Sequence, residues 1–273
     1  MTTYRAWNLK PLDRSALKEL TAAIAQQSTE ELENRAMETM DGEPWSEEKY
    51  QMTLAAQQKE AGLLAGILAA RGITDPAEAL TLLSGEEELT DPMLLTDMDK
   101  ACARILDAID REETIVVFGD YDVDGVTATA LLYQHLKGMG ANVKCMLPSR
   151  EGDGYGLSKN AIQSIHDKGC QLIVTVDNGI SALEEAEFAA SLGVDLIVTD
   201  HHLPHDTLPK AVAVVDPKRA DDESPFKDLC GAGVAFKLCA ALEGCDPAEL
   251  LEMYGELAAL GTVADVMPLV GEN

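Results

Sequence analysis

No apolar run in this chain approaches the roughly 18 residues that a membrane-crossing helix needs, and Met1 to Lys10 lack the basic and then apolar blocks of a secretion signal. A soluble cytoplasmic protein without a membrane partner is the expectation. Paired cysteines are missing too. Cys102, Cys145, Cys170, Cys230, Cys239 and Cys245 are scattered with no CxxC spacing, which argues against a zinc site or a disulfide framework and leaves small buried hydrophobes as their reading. Positive charge is scarce: 21 Lys and Arg stand against 48 Asp and Glu, a formal charge of −27. A broad basic surface is thereby excluded, and nonspecific duplex binding by counterion release finds no support in this chain alone. Much of the acidic excess lies in residues 30–48 and 84–92, which read as exposed helix and loop. Solenoid repeats and low-complexity linkers are also absent.

What is present is a short apolar run that closes on an aspartate, four times over: at Asp120, Asp177, Asp200 and Asp216. Buried parallel strands read as near-continuous apolar runs, and open α/β sheets place their ligand crevice outside the carboxyl ends of those strands. The four aspartates are therefore expected along one sheet edge. Between residues 98 and 215 helical periodicities alternate with these strands, which implies parallel pairing through right-handed crossovers. Two further helices are expected between Gly231 and Ala264. The fold class expected is α/β, a mostly parallel sheet flanked by helices, over residues 96–273. Residues 1–95 form a helical N-terminal extension in which Leu17, Leu20 and Ile24, then Leu54, Leu63, Leu64, Ile67 and Leu68, recur at helical spacing.

The first strand continues as Asp120-Tyr121-Asp122-Val123-Asp124-Gly125, and the third runs into His201-His202. Carboxylates and imidazoles gathered in one crevice repel each other and lose hydration unless cations lie between them. On an extended segment Asp120, Asp122 and Asp124 would share one face. The DxDxDG pattern also opens a calcium EF-hand loop, but a strand precedes it here and loop position 12 is Leu131 rather than a bidentate Glu. Asp177 and Asp200 could each cap a following helix. Capping does not explain the repetition of one ligand type, nor two imidazoles after Asp200. Adjacent histidines on an extended segment diverge, so His201 is expected on a metal and His202 on substrate. His135, His166 and His205 read as ordinary core or solvated residues. Carboxylates with imidazole favour Mn²⁺ or Mg²⁺, with zinc and cobalt open on affinity. A set this large suits two ions about 3.5–4 Å apart, the arrangement used for phosphoryl chemistry. The loop from Pro148 to Ser158 offers backbone amides, Arg150 and Tyr155 for phosphate and base contact, or is a surface loop capped by Ser158. Leu229 to Ala235 is a tight helix entry, read either as backbone access or as close packing.

Taken in order, GDYDVDG, VTVDNGIS, VTDHH and GTVAD, with PSREGDGYGLS and CGAGVAFKL between them, resemble the DHH phosphoesterase superfamily, and its single-strand-specific 5′→3′ DNA exonucleases in particular. The likeness runs from about Leu89 to Asp265. It implies metal ligation by Asp122, Asp124, Asp177, His201 and Asp265, with Asp177 bridging two Mn²⁺ or Mg²⁺ ions and Asp120 in the same motif. It also implies substrate contact by His202, a nucleic-acid path along Arg150 and Tyr155, and hydrolysis of single-stranded DNA to 5′-mononucleotides in repair and recombination. A helicase or single-strand-binding protein would be its partner. Where many members carry a histidine four residues before the equivalent of Asp122, this chain has Phe118, which shifts weight to Asp120 or water. The resemblance further implies C-terminal DHHA1 and OB-like domains beyond Asn273. Other activities in the superfamily, on short oligoribonucleotides, cyclic dinucleotides or pAp, form the alternative. A receiver-like module phosphorylated on one strand-end aspartate is a more distant one, since it gives no reason for the histidines.

Overall fold

The computed structural model describes residues 13–37, 45–84, 89–148 and 156–273, with side chains omitted for 35–37. Arg150 and Tyr155 lie outside the described residues. The chain divides into two compact units, Met1–Glu87 and Glu88–Asn273. The sequence reading places that boundary at residue 95; in the structure Leu95 is buried in the second unit's core and Leu89 packs against it.

The first unit contains α1 (Arg14–Met37), α2 (Glu47–Ala70) and α3 (Pro76–Ser84). Ser46 caps α2 by accepting from the Lys49 N–H at 3.3 Å. Leu20 and Ile24 of α1 pack onto Ala61, Ala65 and Leu68 of α2 and Ala79 of α3. Alanines four residues apart on α2 let the two long helices approach closely. Among the described residues no helix is long and apolar enough to cross a membrane.

The second unit begins with α4 (Met98–Asp110). It continues through β1 (Thr114–Phe118), α5 (Val123–Gly138), β2 (Asn142–Met146), α6 (Lys159–Asp167), β3 (Leu172–Val176), α7 (Leu183–Ser191), β4 (Asp195–Thr199) and β5 (Ala213–Val215). The helices α8 (Gly231–Glu243) and α9 (Leu251–Ala264) follow. Five strands form one sheet in the order β2-β1-β3-β4-β5, every neighbouring pair parallel. The expected α/β class holds. The last strand is shorter than the apolar run from Ala211, because only Ala213 to Val215 pair with β4.

Alternation along the strands separates two cores. Ile115, Val117, Val174, Val176, Ile197 and Val215 face α4, α5 and α8, where Met98, Ile105, Leu131, Leu132 and Val234 fill the layer. Val116, Phe118, Ile173, Val198 and Val214 face α6 and α7, against Ile162, Ile165, Ala186 and Ala189. All five residues of β3 are buried, as a central parallel strand requires. Phe118 pairs with Thr175, Val176 with Thr199, and Thr199 with Val215. The residues that follow the strands therefore emerge side by side.

Four cysteines are buried, Cys245 is partly buried and Cys145 is exposed, all as free thiols. Burial drives the thiols away from reactivity: Cys102 and Cys170 are pushed up to about 11 and Cys230 to about 12. Reading all six as buried hydrophobes fails at Cys145, on the edge strand β2, and holds only in part at Cys245.

Leu131 is fully buried in α5, the helix that carries Asp124 and packs on both α8 and α9. Leu131→Ala should cost about 2–5 kcal/mol of stability. Urea denaturation should show a lower midpoint at unchanged slope.

Candidate metal centre

Strand β1 ends at Phe118, and α5 begins at Val123 with Asp122 as its N-cap, whose carboxylate accepts from the Gly125 N–H at 2.9 Å. The extended stretch is thus too short to carry three aspartates on one face. Helix geometry takes over after Asp122 and separates the set. Carboxylate oxygens of Asp120, Asp122 and Asp177 lie within 4.8 Å of one another, whereas Asp124, in the first turn of α5, groups with His201 and Asp265. A third group, Asp177, His201 and His202, joins the two. All seven residues singled out around the metal are therefore brought to one place. His201 Nε2 stands 3.1 Å from Asp177 Oδ1, 3.6 Å from Asp265 Oδ2 and 3.7 Å from Asp124 Oδ2. The two imidazoles do not diverge. Strand pairing stops at Thr199, and their rings tilt together with centroids 4.5 Å apart.

Each side chain is held by backbone. The N–H groups of Gly231 and Ala232, at the start of α8, donate to the two oxygens of Asp124 at 2.6 and 2.8 Å. A helix N-terminus and a carboxylate attract each other through these unpaired donors and the helix dipole. Both readings of the CGAG segment are realised here, since backbone access depends on close packing. A Cβ on Gly231 would lie 2.4 Å from the Asp177 Cβ, and one on Gly261 of α9 would lie 2.4 Å from Asp124 Oδ1. Asp177 adopts φ +60°, a left-handed conformation costing an L residue roughly 1–2 kcal/mol. Such an outlier persists only where the surroundings over-determine it. Asp177 does not cap the next helix, because Ala182 is the N-cap of α7 and makes no side-chain cap bond.

Asp200 has a different task. Its Oδ2 accepts from the Ile180 N–H at 2.9 Å, and its Oδ1 accepts from the N–H groups of His201 and His202 at 2.7 and 3.2 Å and lies 2.7 Å from His202 Nδ1. It positions the histidine pair, a role that its place in the motif does not reveal. Asn178 is another residue the sequence reading overlooks: buried, it donates through Nδ2 to the carbonyls of Phe118 at 3.2 Å and Val176 at 2.9 Å, tying the end of β1 to that of β3. Asp216 lies at the sheet edge as expected, but its carboxylate accepts from the neighbouring Lys218 N–H at 2.7 Å, and burial pushes it up to about 7.

The electrostatics call for a cation. Burial, then the charges of Asp124, Asp122 and Asp200, push Asp177 up to about 9. Burial and the neighbouring His202 charge lower His201. The hydrogen bond to Asp200 raises His202 to about 9. For Asp200 burial alone would raise the carboxyl, but the bonds from His202 and Ile180 outweigh it and hold it low. Asp177 Oδ1 and both ring nitrogens of His201 are buried without an aligned hydrogen-bond partner. Oxygen and imidazole donors left unsatisfied among buried carboxylates fit hard divalent ions such as Mn²⁺ or Mg²⁺.

Residues 114–262 match the DHH family, N-terminal domain. The chain belongs to the DHH family. Among curated proteins, this DHH chain is 44% identical over 223 residues to the single-stranded-DNA-specific exonuclease RecJ of Bacillus subtilis, covering 81% of the chain and 28% of that protein. It is 41% identical over 227 residues to RecJ of Escherichia coli, covering 77% of the chain and 38% of the relative. Among solved structures, exonuclease RecJ bound to manganese superposes with a TM-score of 0.58 at 40% identity, over 65% of this chain and 45% of that one. RecJ of Thermus thermophilus in complex with Mn²⁺ gives 0.58 at 35% identity, over 77% and 29%. The DHH chain thus spans well under half the length of these two curated relatives.

A sign follows for pH. Asp177 carries a folded pKa far above the ordinary 3.8, so its contribution to stability is full below about pH 4 and lost as pH rises toward 9. His202, raised from 6.5 to about 9, stabilises below pH 6.5 and loses that contribution over the same upper range. Thermal unfolding in chelator should therefore show a melting temperature that falls from pH 5 to pH 9. Mn²⁺ should reverse the fall at pH 8. Asp177→Asn should raise the melting temperature in chelator at pH 8 and remove the Mn²⁺ response; a variant that keeps the full response contradicts the assignment.

Proposed function

We propose that this chain is the metal-dependent core of a nuclease that hydrolyses single-stranded DNA from the 5′ end and releases 5′-mononucleotides. The observation carrying this reading is the joined donor set, in which Asp177 belongs both to the Asp120 and Asp122 group and to the His201 and His202 group. Asp120, Asp122 and Asp177 would hold one ion and Asp124, Asp177, His201 and Asp265 a second, with Asp177 shared. The chemistry that a bound pair of Mn²⁺ or Mg²⁺ ions supplies is neutralisation of phosphoryl charge and acidification of the attacking water.

The chain's own residues orient and protonate. The α8 N–H groups fix Asp124 so that neither oxygen rotates during turnover. Asp200 locks His202 through Nδ1 and keeps the ring cationic at neutral pH, which suits it to donate to a phosphoryl oxygen as charge develops there. Asp265, a third exposed at the end of α9, borders the open side where substrate enters. Arg150 and Tyr155 are proposed along the strand's path on the strength of the family resemblance. Support for a DNA substrate comes from relatives named single-stranded-DNA-specific exonucleases and, for the metal, from RecJ structures holding manganese. We place the protein in the cytoplasm, in repair and recombination, beside a helicase or a single-strand-binding protein.

Release of 5′-mononucleotides from long single-stranded DNA, measured in Mn²⁺ and in chelator, tests the reading. Asp124→Ala should lower the Mn²⁺-dependent rate by roughly 10³-fold. Faster turnover of two- to five-nucleotide RNA than of long DNA would instead favour the oligoribonucleotide alternative.

A further inference from the structure

On the α6 and α7 side of the sheet edge, a cavity of about 310 Å³ is lined by Asn178, Ile180, Ser181, Glu185, Asp200 and His202, with Gly156 and Leu157 at its border. The metal-binding carboxylates approach from the opposite side, where α5, α8 and α9 pack. His202 and Asp200 stand between the two. This is also the switch point of the sheet. The connection after β1 leads to α5 on one face and the connection after β3 leads to α7 on the other, and such a divergence opens a ligand crevice.

A second observation indicates what the cavity takes. Asn178 is 2% exposed, and its Nδ2 is spent on the carbonyls of Phe118 and Val176. Its Oδ1, at the other edge of the amide, is buried without a hydrogen-bond partner. Asn178 therefore forms a closed floor to the cavity and leaves bonding to the more exposed lining. The remaining lining adds the Ser181 hydroxyl and the carboxylates of Glu185 and Asp200. Two carboxylates disfavour a second phosphate here. Hydroxyl and amino donors, as carried by a sugar and a base, match the lining.

We propose that this cavity is a nucleoside subsite, holding the sugar and base attached to the phosphate at the metal centre and bonding them through Ser181 and Glu185. This rests on the nuclease reading above. The substrate would cross the sheet edge at His202, with its phosphate on the α8 side and its nucleoside on the α7 side. Asn178 would then underlie the two by tying together the strand ends that carry Asp120 and Asp177.

The test compares two diesters in Mn²⁺: a dinucleotide, and methyl p-nitrophenyl phosphate, which carries no sugar. Ser181 is exposed, so Ser181→Trp should fill the cavity at little cost to folding, and Ser181→Leu fills it less. The ratio of kcat/KM for the dinucleotide to that for the simple diester should fall at least about tenfold in Ser181→Trp, mainly through KM, and by less in Ser181→Leu. A smaller fall in the folded Trp variant, or an equal loss on both substrates, overturns the subsite. If the unaltered chain hydrolyses neither diester in Mn²⁺, the nuclease reading fails and the subsite with it, a result distinct from an unchanged ratio.

Discussion

Mutual repulsion among buried carboxylates is the constraint around which the second unit is organised. Asp120, Asp124, Asp177 and Asp200 are each at most 2% exposed. Two like charges about 4 Å apart cost about 4 kcal/mol at the effective dielectric of a protein near its surface. The fold relieves each carboxylate differently. Asp124 is answered by the start of α8, Asp200 by three backbone N–H groups and an imidazole, and Asp120 in part by the Tyr121 N–H. Asp177 receives none of these for its Oδ1. Two of the metal-facing groups lean on it, so its relief must come from outside the polypeptide.

The backbone around Asp177 shows how much structure this requires. A left-handed aspartate, an adjoining helix start without a Cβ at Gly231, and an asparagine spanning two strand ends all converge within a few residues. Each is locally unfavourable or sterically exacting. Together they turn the carboxylate away from the capping geometry common after a strand and aim it at His201. Gly261 extends the same logic to α9: any side chain there would displace Asp124, so the helix that brings Asp265 must present a glycine where it crosses the first turn of α5.

These features divide what the sequence discloses from what it conceals. The strands were legible because burial on both faces demands apolar runs, and the aspartates because parallel register sets strand ends side by side. The convergence of Asp122, Asp124, Asp177, His201 and Asp265 rested on recognising motifs rather than on any periodicity, since residues as far apart in sequence as Asp122 and Asp265 meet only through packing. Where local geometry was extrapolated it failed: the alternation expected through Asp124 stopped at the N-cap Asp122, and the histidines expected to diverge came together past Thr199. Asp200 and Asn178 were hidden for another reason. Their partners are main-chain groups, and a backbone N–H or carbonyl leaves no mark on residue type.

The acidic balance of the whole chain also takes a different meaning once the site is in view. A charge of −27 opposes approach of any polyanion, yet at physiological ionic strength the field of a surface charge is screened within about 8 Å. A divalent pair set among buried carboxylates acts inside that distance and in a less polarisable medium, where its attraction for a phosphate is less screened. Capture of nucleic acid and chemistry on its phosphate are therefore separable demands. The buried carboxylate cluster suits the second demand, and the acidic surface does little for the first.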